Sequence, residues 1–149
     1  LTYTRQDVTA KWLTNVYSQY IGGVFWQLDS KPLEVELLVC EVAETGNQAN
    51  NIYHISFDGT FWEEKDYAVI GGRSDEISQI LEDTYQAELS LPAAVKLATE
   101  TFISIEDSVD EVDRYAINPS TLEVAVLDQK RNRRKFSRLS VEDITEILS

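Results

Sequence analysis

Leu122-Glu-Val-Ala-Val-Leu-Asp128 opens the stretch that decides the predicted fold of the last third of the chain. Leu122, Val124 and Val126 alternate with Glu123, Ala125 and Leu127. This period of two is that of a pleated strand, and the first set gives the strand a strongly apolar face. The polar and basic residues 129–134 interrupt this pattern, and Lys135-Phe-Ser-Arg-Leu139 restores it. Ser140 followed by Asp143 is a capping pair that opens an amphipathic helix. The sequence therefore predicts a β-hairpin followed by a terminal helix.

The composition predicts one acidic globular domain over residues 1–149. At 149 residues and 43% hydrophobic, a compact fold would bury roughly 68–70% of the surface of the unfolded chain. Thirteen Lys and Arg against 26 Asp and Glu give a net charge of −13, which favours solubility and argues against nucleic acid or membrane as the main partner. The single Cys40 excludes an internal disulfide framework, and no apolar run reaches the ~20 residues that span a bilayer. We therefore expect a reduced, cytoplasmic setting.

The first segment predicts a long helix over residues 5–27. Thr4 and Asp7 form a capping signature, and apolar residues then recur at spacings of three and four. Gly22 and Gly23 would each cost roughly 1 kcal/mol relative to Ala inside a helix, so we expect a close neighbour to cross there. The chain starts at Leu1 without a signal pattern or an initiator methionine. We expect it to be a piece of a longer protein.

Three strands are predicted next, as an antiparallel meander. The first covers residues 33–43 with both faces buried, the second residues 52–57, and the third residues 67–70, with a possible earlier start near Phe61. Asp58-Gly59 is a strong hairpin signal between the last two.

Two helices are predicted after the meander, opened by Ser74 and by Ser90 with Pro92. Residues 106–113 are rich in carboxylates, so residues 106–120 are predicted to form an exposed acidic linker. The resulting order is a helix, a meander, two helices, a hairpin and a helix, which is an α+β fold.

No residue of the sequence stands out as catalytic, cofactor-binding or metal-binding. His54 is the only histidine and has no marked nucleophile near it, so a satisfied or solvent-facing strand histidine is favoured. Cys40 lies in the most apolar strand, which favours a packed, unreactive thiol. One His and one Cys are too few soft ligands for a metal site. We predict no catalytic residue, no cofactor and no metal.

Three further features have both a structural and a functional interpretation. Gly71-Gly72-Arg73-Ser74 could hold an anion at a helix N-terminus, but a tight turn with close backbone approach explains both glycines better. Lys130-Arg-Asn-Arg-Arg-Lys135 has five bases in six residues; on a chain of this charge we prefer a solvated turn or an intersubunit salt-bridge surface to nucleic-acid binding. The tryptophans are interpreted as core or interface anchors: Trp12, Trp26 and Trp62.

Several blocks of the sequence together resemble the α-type subunit of the 20S proteasome core particle, in its actinobacterial form. The blocks follow the family's order at compatible spacing across nearly the whole chain. They are Arg5-Gln-Asp-Val-Thr9, Leu13-Thr-Asn-Val-Tyr-Ser-Gln19, Lys31-Pro-Leu-Glu-Val-Glu-Leu37, Cys40-Glu-Val-Ala43, Ile52-Tyr-His-Ile-Ser-Phe-Asp-Gly59, Val69-Ile-Gly-Gly72, Leu122-Glu-Val-Ala-Val-Leu-Asp128, and Arg133-Arg134 before Phe136.

The resemblance implies an αββα sandwich of the Ntn-hydrolase class. It also implies a structural and gating subunit for intracellular protein degradation, whose partners are other α-type subunits in a seven-membered ring, catalytic β-type subunits and an ATPase activator. Peptide hydrolysis in this family belongs to the N-terminal threonine of the β-type subunits. Thr2 lies behind Leu1 and just ahead of the predicted helix, so a catalytic role is not expected.

Family members carry a gating tail, an outer helix, the first strands and a first layer helix before the segment that Leu1 opens. We therefore expect a fold truncated at its N-terminus and transfer no gate or docking residue to this sequence. The acidic residues 106–113 are also not required by the family pattern. Two alternatives remain open: an Ntn-type hydrolase in its own right, and a stand-alone oligomeric binding module derived from the half-domain.

Overall fold

The described part of the computed structural model comprises residues 8–29, 31–43, 49–107 and 116–149. Four helices and five strands occur there in the predicted order, so the α+β prediction is confirmed. The chain forms two compact units, one up to Gly71 and one from Gly72 onward. The prediction of a single domain is not tested by this division.

Helix α1 spans Ala10–Phe25 and opens the first unit. Thr9 is the N-cap: its backbone is extended, and its hydroxyl accepts a hydrogen bond from the Trp12 amide at 3.2 Å. The predicted start near Arg5 is wrong. The helix begins after Thr9, because the Thr9 backbone is extended and its hydroxyl pairs with the Trp12 amide, which has no partner within the helix. The predicted Thr4 and Asp7 capping pair lies outside the described residues.

Strands β1 (Leu37–Glu41), β2 (Asn51–Ile55) and β3 (Phe61–Glu64) form an antiparallel sheet in that order. Strand β1 starts four residues later than predicted, since Glu34 has a left-handed φ of 53° that interrupts the extended chain. The Asp58-Gly59 turn is confirmed: the Ser56 amide donates to the Thr60 carbonyl, and the register pairs Ile55 with Phe61.

The predicted early start of the third strand near Phe61 is confirmed, but the predicted main span of this strand, residues 67–70, is wrong. The short turn starts the pairing at Phe61, and the left-handed Asp66, with a φ of 56°, follows the strand, so residues 67–70 stay outside the sheet. Apolar sequence alone does not make a strand without a partner in register.

The second unit contains α2 (Ser74–Thr84), α3 (Leu91–Asp107), the hairpin β4 (Ala125–Leu127) and β5 (Phe136–Arg138), and α4 (Val141–Leu148). Helix α3 packs against both α2 and α4. The predicted linker is partly wrong, since Glu106 and Asp107 end α3; residues 108–115 lie outside the described residues. Residues 118–121 form a turn held by the Thr121 amide donating to the Asn118 carbonyl.

The final hairpin and helix are confirmed, but β4 covers only Ala125–Leu127 of the strand predicted over residues 122–128. Val126 pairs with Ser137, and backbone hydrogen bonds from Asp128 to Lys135 and from Leu139 to Val124 extend the pairing at both ends. Ser140 and Asp143 form the complete capping box at the start of α4. Ile144, one turn into the helix, is almost fully buried.

Candidate functional site

The face of α1 that meets the sheet is built from small residues spaced four apart. These positions fall along one side of a helix because four residues advance about one turn. The Ala10 amide donates to a Glu41 carboxylate oxygen on β1 at 3.2 Å. The Ser18 hydroxyl donates to the Gly59 carbonyl in the hairpin turn. The small residues of this face are Ala10, Thr14, Ser18 and Gly22.

The hairpin turn touches the helix backbone at Gly22. A Cβ on Gly59 would stand 2.6 Å from the Gly22 nitrogen and 2.6 Å from the Ser18 carbonyl oxygen. Gly59 also has a φ of 87°, which L side chains rarely adopt. The predicted close crossing is therefore confirmed at Gly22, whereas a Cβ on Gly23 would meet no atom of the described ranges within 4 Å.

The opposite face of α1 carries the large apolar side chains, and they are exposed. Trp12 is 56% exposed and Tyr20 63%, with Val16 between them at the same spacing of four. We refer to Trp12, Val16 and Tyr20 as the aromatic face. Val8 and Tyr17 at its margins are also exposed. A helix that is apolar on both sides normally buries both, so this face has the character of an interaction surface.

A second exposed apolar group lies at the C-terminal end of α1. Phe25 makes edge-to-face contacts with Trp26 at 5.4 Å and with Phe57 at 5.8 Å between ring centroids. Trp26 and Phe57 nevertheless remain exposed, as does Leu28. The interpretation of the three tryptophans as core residues is wrong, since Trp62 is exposed as well, and they remain candidates for interface anchors.

His54 is buried, so its interpretation as a solvent-facing residue is wrong. Its Nδ1 lies 3.5 Å from a Glu64 oxygen, its Nε2 lies 3.8 Å from a Glu36 oxygen, and its ring lies 4.3 Å from that of Trp62. The same Glu64 oxygen accepts a 2.7 Å hydrogen bond from the Trp62 indole. Within the described ranges Nε2 has no hydrogen-bond partner. The immediate surroundings of His54 are thus two carboxylates and an indole, with no nucleophile among them.

Cys40 lies on the exposed side of β1, where it was predicted to be packed. The prediction was wrong because the apolar residues on both sides of the strand indicated two buried faces. The middle of β1 is in fact only half-buried. Partial desolvation still raises the pKa of the Cys40 thiol, which lowers its thiolate fraction and reactivity.

Arg73, in the predicted Gly71-Gly72-Arg73-Ser74 segment, links α2 to α3 within the second unit. Ser74 is the first helical residue of α2 and Arg73 is its N-cap, so the prediction of Ser74 as the cap is wrong. The Arg73 guanidinium donates to both carboxylate oxygens of Glu76, at 2.9 and 2.7 Å, and to the Ile105 carbonyl at 2.8 Å. The hydrogen bond from Arg73 lowers the pKa of Glu76 and raises that of Arg73.

The glycines of this segment are only partly explained by the predicted tight turn. Gly71 has a φ of 117°, a conformation that favours glycine. Among the described residues neither glycine has a close backbone neighbour, since a Cβ on Gly71 or Gly72 would meet none of their atoms within 4 Å.

The basic turn spans residues 130–135 at the tip of the β4–β5 hairpin and is largely exposed. Asp128 at its base accepts from the Lys130 amide at 2.9 Å and lies 3.6 Å from the Arg131 guanidinium. Exposure agrees with the predicted solvated turn. Six of the 13 Lys and Arg of the chain lie within residues 130–138.

Sequence reasoning missed the division of α1 into a small inner face and a large aromatic outer face. The signal was present as the spacing of four in Ala10, Thr14, Ser18 and Gly22. It was hidden because the apolar residues, taken together, covered more than one stripe.

Two further kinds of site are absent from the described ranges. There, none of the helices has both the length and the apolar character needed to cross a lipid bilayer. The same part of the chain holds no group of three or more His, Cys, Asp or Glu side chains placed to bind a metal ion.

Comparison with known proteins gives a consistent result. The family model described as "Proteasome subunit" matches residues 2–127. Relatives named "Proteasome subunit alpha" are 39% identical over 147 residues in Mycobacterium sp. (strain KMS), covering 98% of this chain and 57% of the relative. Those of Mycolicibacterium vanbaalenii and Arthrobacter sp. (strain FB24) are 40% and 38% identical, covering 98% and 99% of this chain.

The chain spans about 56–62% of the length of these curated relatives. The resemblance found in the sequence is confirmed, because the family match covers most of the chain and the relatives match along almost all of it. The chain therefore belongs to the proteasome subunit family.

Proposed function

We propose that this chain acts as a non-catalytic, structural and gating α-type subunit of a 20S proteasome core particle, in intracellular protein degradation. The observation that carries the proposal is the match to relatives named "Proteasome subunit alpha" along 98–99% of the chain. The finer fold that accompanies it is the αββα sandwich of the Ntn-hydrolase class. The partners proposed are other α-type subunits in a ring, catalytic β-type subunits and an ATPase activator in the cytoplasm.

The aromatic face of α1 supports an assembling role. Trp12, Val16 and Tyr20 expose large apolar surface on successive turns of α1. Exposed apolar patches of this kind mark interaction sites, and Trp and Tyr are enriched among the residues that dominate binding energy. Burying this face against a second subunit would remove apolar surface from water at about 25 cal/mol per Å².

The proposal is tested by the size of the particles that the chain forms. Multi-angle light scattering on the chain alone, and mixed with an actinobacterial β-type subunit, should reveal ring-sized or mixed assemblies. A protein that stays monomeric both alone and in the mixture would contradict the proposed subunit role.

The role of the aromatic face is tested by a matched pair of double variants. Trp12→Ser with Tyr20→Ser should weaken assembly at least tenfold, because each side chain has the character of an interface hot spot worth about 2 kcal/mol or more. Lys11→Ser with Gln19→Ser removes two exposed polar side chains of the same helix and should leave assembly unchanged. Equal assembly by both variants would exclude this face.

A peptidase assay separates the proposed role from the enzymatic alternative. The purified chain should not cleave fluorogenic peptides without β-type subunits. Hydrolysis by the chain alone, surviving a second purification step, would refute the non-catalytic assignment and favour an Ntn-type hydrolase.

A further inference from the structure

A groove in the second unit is not explained by the proposed subunit role. It has a volume of about 640 Å³ and lies between the first turns of α3, strand β5 with the residues that follow it, and α4. This volume falls in the range of about 300–1,000 Å³ that is usual for ligand clefts. Its apolar lining comes from Pro92, Leu139 and Ile147.

Three cations line the groove, from three different elements. Lys96 lies on α3, Arg131 in the basic turn and Arg138 on β5. Arg131 and Arg138 belong to the basic segment 130–138, which holds six of the 13 Lys and Arg of a chain whose net charge is −13. Positive charge is therefore concentrated at one place on an otherwise acidic protein, and the groove opens there.

The present partners of these cations are weak and exchangeable. Arg131 lies 3.6 Å from Asp128, and Arg138 lies 3.7 Å from Glu123 with both side chains mostly exposed. Exposed ion pairs of this kind contribute at most about 1 kcal/mol. For Lys96, no carboxylate of the described residues is within ion-pair distance.

The carboxylates of the groove limit how densely charged a ligand can be. Asp143 is engaged by its own helix cap, since it accepts from the Ser140 amide at 2.9 Å and from the Ser140 hydroxyl at 2.8 Å. Glu146 on α4 also lines the groove and would repel a uniformly acidic ligand. A ligand that places carboxylates toward α3 and the hairpin, and apolar side chains toward Leu139 and Ile147, fits both constraints.

We propose that this groove binds an acidic polypeptide segment of a partner protein, with Lys96, Arg131 and Arg138 holding its carboxylates and the apolar lining holding the side chains between them. Charge complementarity selects this occupant, because charge pairing steers and specifies protein contacts. The apolar lining of the groove favours a polypeptide over a nucleic acid, because a polypeptide can offer apolar side chains, whereas a nucleic acid makes its protein contacts mainly through phosphates.

The test is fluorescence anisotropy with a labelled peptide that alternates Glu or Asp with Leu. The matched control peptide carries Gln and Asn in place of the acids, and a single-stranded oligonucleotide of equal charge serves as the competing class. The acidic peptide should bind more tightly than either, and its affinity should fall as salt is raised through the physiological range. No binding of the acidic peptide, or tighter binding of the oligonucleotide, would overturn the proposal.

Two double variants with the same net charge locate the site. Lys96→Glu with Arg138→Glu should raise the Kd about tenfold, since each reversal replaces attraction with repulsion inside the groove. Lys31→Glu with Lys65→Glu changes the charge of the chain equally, at exposed positions in the other unit, and should leave the Kd within about twofold. Equal loss in both variants would assign binding to overall charge and refute the groove. Circular dichroism of each variant checks that the fold is retained.

Discussion

Gly59→Ala tests the contact on which the first unit depends. Gly59 lies in the hairpin turn between β2 and β3, where the turn touches the backbone of α1. An added Cβ would meet the Gly22 nitrogen at 2.6 Å, the Ser18 carbonyl oxygen at 2.6 Å and the Gly22 Cα at 2.7 Å. All three are backbone atoms, so no side-chain rotation can relieve the overlap.

The loss in the free energy of unfolding has two parts. Holding alanine at the positive φ of 87° costs about 1–2 kcal/mol. Forcing a methyl group into a closed contact costs about 1–3 kcal/mol more, because the turn and the helix must separate. The sum of about 2–5 kcal/mol is a large part of the roughly 5–15 kcal/mol that stabilises an ordinary domain.

Urea denaturation followed by tryptophan fluorescence measures this loss in the relevant unit. Trp12, Trp26 and Trp62 all lie in the unit that ends at Gly71. Gly23→Ala is the matched control in the same helix that contacts the turn, α1. Its added Cβ has no neighbour within 4 Å in the part of the chain that the structure describes, and the change should stabilise by about 0.5–1 kcal/mol.

The outcome that would refute this reasoning is a Gly59→Ala protein within about 0.5 kcal/mol of the wild type, the range of ordinary surface substitutions. Gly71→Ala separates the two parts of the estimate. Gly71 has a positive φ of 117° but no close neighbour among the residues that the structure describes, so its substitution reports backbone strain alone. A loss for Gly59→Ala no larger than that for Gly71→Ala would remove the steric part.

Two further predictions concern single polar groups. Thr14 is fully buried and its hydroxyl has no hydrogen-bond partner among the described residues, so Thr14→Val should stabilise the protein by about 1 kcal/mol in urea denaturation; a destabilised variant would show that the hydroxyl is satisfied. Ser140→Ala should cost about 1 kcal/mol by removing the cap of α4, measured in thermal unfolding by circular dichroism. Hydrogen bonds from the Ser140 amide and hydroxyl lower the pKa of Asp143 below its ordinary 3.8. The stability that the Asp143 carboxylate contributes is therefore complete above about pH 3.8, and it is lost as the pH falls through the pKa of Asp143 in the folded protein. An NMR titration should place the Asp143 midpoint higher in Ser140→Ala than in the wild type, and equal midpoints would contradict this cause.

Local signals predicted the features that need only neighbouring residues. The capping box of Ser140 and Asp143, the Asp58-Gly59 turn and the hairpin before α4 are all set by contacts within a few residues. Their chemistry is complete in the sequence, because a cap or a two-residue turn requires no distant partner. The end of the third strand was predicted too far along the chain for the opposite reason, since the extent of this strand depends on its register with β2.

For the candidate surfaces, the sequence predicted the types of residue involved but not which of them would be exposed. The sequence contained the tryptophans and the basic turn, but it did not indicate which side of α1 would face the sheet. The sheet accepts the side with Ser18 and Gly22, because backbone atoms of the hairpin turn come into contact there. Trp12 and Tyr20 are consequently left on the outside.

The sequence by itself determined the order of the elements, the cap at Ser140, the Asp58-Gly59 turn and the membership of the proteasome subunit family, since these depend on residue pattern and spacing along the chain. Only the tertiary structure decided which faces are buried. It placed His54 beneath Glu36, Glu64 and Trp62, and it brought Lys96 to the groove beside the hairpin. Burial depends on what packs against a side chain across distant segments, and residue type constrains that packing without fixing it.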